Sequence, residues 1–331
     1  MAGITGQGTT FNLPNFVGEL FAVTPTDTPF LSSIGGLSGG ERTASTLFQW
    51  QGYDLRAAED NRQRTEGANA PTAEARVRFN VTNVVEIHQE AVELSYTKQA
   101  AVGQFHSTGS THPGSVGIAG SNPVTDEMDW QIQQNLIQMA RDIEKSFISG
   151  AFANPATNAT ARKTRGLLEA VTTNVIAKDG GSGAAAPLTE DDVLDLLQMV
   201  WENGGIQVSE TATLMCNAWQ KRQLTDIFVT QKNYQEQSRN VGGVAVQTIE
   251  TDFGRLNVML NRHMPTDEIA VVSLEECAPV FLEIPGKGFL FVEPLSKVGA
   301  ADRFQIYGEV GLKYGNEKAH GKITNLTTSA S

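Results

Sequence analysis

The sequence predicts an α+β fold, and three observations carry that reading. Residues 126–152 hold one long helical pattern. The last third of the chain is a run of short strand-like segments without alternating helices, which argues against a doubly wound sheet. Two alternating runs, 46–53 and 76–82, read as a β-hairpin with one face covered.

Residues 1–45 place apolar anchors (Phe11, Phe16, Val17, Leu20, Phe21, Phe30, Leu31, Ile34) among Gly, Thr and Pro. Phe16, Val17, Leu20 and Phe21 have helical spacing after Pro14, and the rest reads as extended. The segment is too apolar for a disordered tail and too broken for a domain. It needs a surface to lie on, from its own chain or a neighbour.

In the hairpin, Phe48 and Trp50 share one face, as do Val77, Phe79 and Val81 on the returning strand. Between the strands, residues 54–74 mix acids and arginines: Asp54, Arg56, Glu59, Asp60, Arg62, Arg64 and Glu66. So long a connection is unusual inside a compact domain, and a lone hairpin is marginal in water. The ribbon is therefore expected to rest on something else.

Residues 84–96 continue the apolar alternation as strand or helix, and 103–125 are a Gly/Ser/Thr/Pro loop. Thr125 with Asp126, Glu127 and Asp129 suits a helix start, and Met128, Ile132, Leu136, Ala140, Ile143 and Phe147 follow at helical spacing. A Gly/Ala linker at 180–187 precedes a second helix opened by Thr189 and Asp192 and closed by Asn203-Gly204-Gly205. A strand at 211–216 and a helix at 219–228 come next. Strands follow at 244–251, 256–261, 268–273, 280–284, 289–293 and 303–313.

With 331 residues, 40% of them hydrophobic, the chain can bury a sizeable core. Its net charge of −12 is wrong for gripping a phosphate backbone, because such binding runs on Lys and Arg. Two cysteines make neither a disulfide framework nor a zinc site, which points to a reducing cytoplasm. No apolar run spans a bilayer, and no Lys or Arg precedes Arg42 to open a secretion signal.

Chemistry is hard to find. No GxxxxGK[ST], GxGxxG, HExxH or GxSxG occurs, and the five histidines are scattered. Asp126, Glu127 and Asp129 are explained by helix-start electrostatics before catalysis. Trp130, Trp201 and Trp219 fall on helical stretches at core-like positions. No catalytic residue, cofactor site or metal site is assigned.

Several segments resemble the major capsid proteins of tailed bacteriophages with the Hong Kong 97-like fold. They are Thr28-Pro29-Phe30-Leu31-Ser32-Ser33-Ile34, Phe48-Gln49-Trp50, Asp54-Leu55 and Glu66-Gly67. Thr164-Arg165-Gly166-Leu167-Leu168, Trp201-Glu202-Asn203-Gly204-Gly205 and Thr251-Asp252-Phe253-Gly254-Arg255-Leu256 through Asn261-Arg262 follow in the same order.

The resemblance implies an N-terminal arm (1–45), an extended loop over a neighbouring subunit (46–83) and a peripheral domain (84–171) with a spine helix at 126–152. It further implies an axial domain (172–297) and a C-terminal return (298–331) to the peripheral domain. Copies would form pentamers and hexamers closing an icosahedral shell around double-stranded DNA, without sequence-specific contact to it. Phe30, Trp50, Arg56, Glu59, Asp60, Arg62, Arg64 and Glu66 are the expected assembly-interface residues. Some relatives lock the shell by an isopeptide bond from a loop lysine, but the first lysine here is Lys98, so a non-covalent shell is expected. A separate scaffolding protein, a portal and cement proteins are the expected partners, with assembly in the bacterial host cytoplasm, residence in the virion and no membrane. The alternatives are an encapsulin-like bacterial compartment shell and, from another class, a cytosolic hydrolase.

Overall fold

The computed structural model describes residues 22–100, 127–179, 183–206, 212–230, 248–251 and 253–328. The expected helix after Pro14 with its apolar anchors, the 103–125 loop, and the Thr125 cap with Asp126 lie outside the described residues. So does the first part of the 244–251 strand.

In chain order the elements begin with α1 (Pro29–Ser33), β1 (Glu41–Thr43), β2 (Leu47–Tyr53), β3 (Arg78–Val84), β4 (Glu86–Ser95), α2 (Tyr96–Ala100) and α3 (Glu127–Ser149). Next come α4 (Leu167–Ala170), β5 (Val175–Ala177), α5 (Glu190–Glu202), β6 (Ala212–Cys216) and α6 (Ala218–Thr225), the last followed by a short π-helix at Asp226–Thr230. The chain closes with β7 (Thr248–Thr251), β8 (Gly254–Leu260), β9 (Ile269–Ser273), β10 (Ala278–Leu282), β11 (Leu290–Pro294), β12 (Ala301–Lys313) and β13 (Gly321–Thr324). This is the α+β content expected from the sequence. Residues 84–96, left open between strand and helix, form mostly β4.

The chain divides into two units. The larger comprises Thr28–His88, Ala140–Phe291 and Tyr307–Ser331; the smaller comprises Met1–Asp27, Gln89–Met139 and Val292–Ile306. Three sheets form: β5-β13-β9-β6-β8-β7, β1-β10-β12-β11 with β4 also paired to β12, and the hairpin β2-β3.

The six-stranded sheet carries the main core of the larger unit. Its central strands β6 and β9 are buried along their whole length, so they read as continuous apolar runs rather than alternations. Val193, Leu196 and Leu197 of α5 and Leu224 of α6 pack on Leu214, Ile269, Val271 and Ile323. Each large aliphatic side chain buried here contributes about 1.5–3 kcal/mol. The start of α5 is fixed by a capping box, in which the Thr189 hydroxyl accepts from the Asp192 amide while the Asp192 carboxylate accepts from that of Thr189. α6 opens on Asn217, whose side-chain oxygen accepts from the amides of Trp219 and Gln220 at 2.9 and 3.0 Å.

The long helix ends sooner than its apolar spacing predicts, at Ser149 rather than Phe152. The cause is Gly150, where a Cβ would come within 2.4 Å of the Ser146 carbonyl and 2.8 Å of that of Thr164. Gly166 returns the contact, its amide donating to the Gly150 carbonyl at 2.8 Å. Two backbones meet where no side chain fits, and the chain leaves as the Ala153–Lys163 bridge.

Around that meeting point a polar hub joins three strands. Asn83 donates to the carbonyls of Arg165 and Leu312 (3.1 and 2.7 Å) and accepts from the amides of Arg165 and Val84 (2.8 and 2.9 Å). Glu86 accepts from the Thr164 amide, and the Thr164 hydroxyl accepts from that of Leu312, both at 3.1 Å. The Thr164-Arg165-Gly166 motif is thus a backbone junction, each residue held for a separate reason.

Trp201 departs from expectation. It is 57% exposed, because it follows Val200 and so points about 100° away from the buried Val193/Leu196/Leu197/Val200 stripe.

Candidate assembly interface

The hairpin is where the sequence places it, with its second strand shifted to Arg78–Val84. Its register pairs Phe48 with Asn83, Trp50 with Val81 and Gly52 with Phe79. Residues opposite one another share a face, so Phe48, Trp50, Val81 and Phe79 form one stripe. At the base the stripe is packed on the rest of the larger unit. Phe48 and Val85 cluster with Val280, and the Trp50 indole donates to the Gly315 carbonyl at 2.7 Å and meets Tyr314 edge-on at 4.9 Å. Toward the tip it is uncovered, with Phe79 50% and Val77 74% exposed. Phe79 lies over Gly52, where a Cβ would come within 2.5 Å of the ring.

The 54–77 connection has no strand or helix, yet it is internally braced. Glu59 and Glu74 hold three arginines between them. Arg56 pairs with Glu59 (3.4 Å) and Glu74 (3.5 Å), Arg62 pairs with Glu59 (3.0 Å) and Glu74 (2.7 Å), and Arg76 pairs with Glu74 (2.9 Å). Hydrogen bonds from Arg62 and then Arg76 hold the Glu74 carboxyl down at about 2. The tip turns at Glu66-Gly67, where the Ala68 amide reaches the Thr65 carbonyl at 3.1 Å and Gly67 takes φ +78°.

Among the eight expected interface residues, Arg56, Glu59 and Arg62 meet in this brace. Asp60, Arg64 and Glu66 lie on the same exposed segment and form no ion pair among the described residues. Glu74 and Arg76 complete the brace; the sequence reading missed them, although their charge against Arg56 and Arg62 was the available signal. Phe30 does not belong to a surface. It is fully buried in the larger unit, and Trp50 is half-buried at the hairpin base.

Phe30 instead marks a second construction. Glu144, on α3, is fully buried. Its carboxylate accepts from the backbone amides of Phe30 and Leu31 at 2.9 and 2.6 Å, and from the Asn261 side chain at 2.5 Å. α1, α3 and the end of β8 therefore meet on one acid. Burial pushes its carboxyl up, while the three donors pull it down. Asn261 is fixed in turn, accepting from the His263 amide at 2.8 Å.

The Cys216 thiol is buried and pushed up to about 12, and that of Cys277 is buried and raised as well. His320 is fully buried and drawn down to about 4, accepting from the Ser273 amide and meeting the Tyr314 carbonyl. No group of three or more metal-ligating side chains occurs among the described residues. What the site offers is an exposed ribbon braced by ion pairs and a short helix, α1, held on a buried acid.

Comparison with known proteins agrees. The major capsid protein of Escherichia phage Phieco32 is 23% identical over 360 residues, covering 93% of each chain. The capsid asymmetric unit of cyanophage A-1(L) matches with a TM-score of 0.65 at 11% identity, over 98% of this chain and 100% of that one. The SrpI encapsulin of Synechococcus elongatus PCC 7942 matches at 0.54 and 12% identity, over 96% of this chain and 94% of that one. Both solved structures support the Hong Kong 97-like fold, and the phage relative favours the viral shell over the encapsulin alternative. A family model described as SU10 major capsid protein matches residues 3–327, and the chain belongs to that family: it is a phage major capsid protein, a structural component of the virion and not an enzyme.

Proposed function

We propose that the chain forms pentamers and hexamers that close an icosahedral shell around double-stranded DNA, and that its 46–83 ribbon lies over a neighbouring copy. The observation that carries this is the ribbon itself. Its apolar stripe is covered at the base and bare toward the tip, and its connection is ordered by ion pairs rather than by a core. Exposed apolar strand surface is an aggregation hazard unless an assembly covers it.

Because Glu59 and Glu74 already engage Arg56, Arg62 and Arg76, the brace shapes the loop. Asp60, Arg64 and Glu66 are the charges left for a neighbour. Phe30 serves as an internal anchor. Five strands of the six-stranded sheet (β5 to β9) lie in the proposed axial domain (172–297), whose copies meet at the symmetry centres; β13, from the 298–331 segment, completes that sheet rather than returning to the peripheral domain, of which α3 is the proposed spine. The ribbon holds no lysine, so the shell is held by non-covalent contacts. A separate scaffolding protein, a portal and cement proteins complete the particle, which assembles in the host cytoplasm. At net charge −12 the wall encloses DNA without gripping it.

Deleting residues 56–70 tests the reading. Folded subunits that no longer close shells are expected; normal particles would overturn it.

A further inference from the structure

α5 ends in a Schellman motif. The Gly204 amide donates to the Trp201 carbonyl at 3.1 Å, the Gly205 amide to that of Val200 at 2.9 Å, and Gly204 takes φ +93°. Asn203, just before the glycines, spends both protons of its side-chain amide on oxygen acceptors. Its Nδ2 donates to Asn174 Oδ1 at 2.7 Å and to the Met199 carbonyl at 3.0 Å. Asn174 is fully buried and fixed in turn, its own Nδ2 donating to the carbonyls of Lys318 and His320 at 2.7 and 2.8 Å. Asn203 is exposed, and Asn203-Gly204 is the single Asn-Gly step in the sequence. Glycine after asparagine leaves the backbone nitrogen unhindered, which makes such a step the readiest to modify itself.

We propose that Asn203-Gly204 is a site of spontaneous deamidation and that Asn174 holds it in check. In the reaction the Gly204 nitrogen gives up its proton to water and attacks Asn203 Cγ. An N–Cγ bond forms, the Cγ–Nδ2 bond breaks, and Nδ2 takes up a proton and leaves as ammonia. Water then opens the cyclic imide at either carbonyl, leaving aspartate or isoaspartate. Three restraints oppose the step. The Gly204 proton is engaged, Nδ2 is pinned at two points, and ψ 6° at Asn203 keeps the Gly204 nitrogen from reaching Cγ. All three lapse when the last turn of α5 frays. The product no longer fits the joint. A carboxylate has no proton for Asn174 Oδ1 or the Met199 carbonyl, and its charge sits at the negative end of α5. Deamidation therefore loosens the end of α5 from the segment that opens β5.

The test holds the full-length subunit at mildly alkaline pH and follows position 203 by tandem mass spectrometry of the tryptic peptide 179–221. Folded Asn174→Ala should deamidate there several-fold faster than folded wild type, while the two chains react equally once unfolded in urea. Equal rates in the folded proteins would overturn the proposal. So would a folded wild type that reacts as fast as the unfolded chain. Asn174→Ala also strips the Lys318 and His320 carbonyls of a donor. Should that variant not fold, wild type in urea below its unfolding transition decides. A rate at 203 that climbs several-fold ahead of the transition supports local release of the α5 end; a rate that climbs only with global unfolding overturns it.

Discussion

Replacing Glu144 tests how α1 is held. In Glu144→Leu the helix keeps its apolar stripe, but the amides of Phe30 and Leu31 and the Asn261 side chain lose their acceptor. Each orphaned buried donor costs about 1–3 kcal/mol. Leucine also removes the desolvation cost of a buried acid, which offsets part of the loss, so a net destabilisation of about 3–5 kcal/mol is expected. Glu144→Gln keeps one oxygen and turns an NH2 toward a donor, for about 1–3 kcal/mol. Denaturant unfolding of unassembled subunits reads both numbers, and hydrogen exchange at Phe30 and Leu31 shows whether the loss is at α1. A Leu variant within about 1 kcal/mol of wild type, or Gln equal to Leu, would refute the reasoning. The sign with pH is also fixed. The folded-state carboxyl is raised above 4.5, so its stability contribution is full below that value and is lost as pH rises through the folded value. The wild-type advantage over Glu144→Gln therefore shrinks with rising pH over that window.

His320 predicts the opposite trend: its folded value of about 4 lies below 6.5, so stability falls as pH drops between the two, by about 3 kcal/mol, and His320→Gln flattens the profile of unfolding midpoint against pH. Glu74→Gln opens the brace, so trypsin should cleave the 56–64 arginines several-fold faster while the thermal midpoint of the subunit is unchanged; equal cleavage rates would count against the brace. Gly166→Ala drives a Cβ to 2.5 Å from the Gly150 amide and should cost about 3 kcal/mol in denaturant unfolding. A denaturing gel of particles should show monomer alone, because the loop holds no lysine; a covalent ladder would contradict the non-covalent shell.

Much of the frame was legible because it depends on local period. Alternation located the β2-β3 hairpin to within two residues, and the capping box located α5. The end of α3 was not legible, because Gly150 stops the helix through a backbone contact with a segment fourteen or more residues away. The short helix α1 was read as extended, since its seat is Glu144, 113 residues on from Leu31. Glu144 did leave a trace: it sits on the stripe of Ala140, Ile143 and Phe147, an acid where an apolar residue belongs. The assembly residues were legible as a class, an exposed charged segment. The division between brace and free charges was not, because Glu74 pairs back over twelve residues to Arg62.

The most direct measurement is a high-resolution cryo-electron microscopy map of the assembled particle. The account predicts that residues 54–77 of one copy lie over the neighbouring copy. Val77 and Phe79 should be covered there, the Glu59/Glu74 brace intact, and no density should join the loop covalently to its neighbour. A loop folded back on its own subunit, with Val77 and Phe79 bare to solvent, would contradict it.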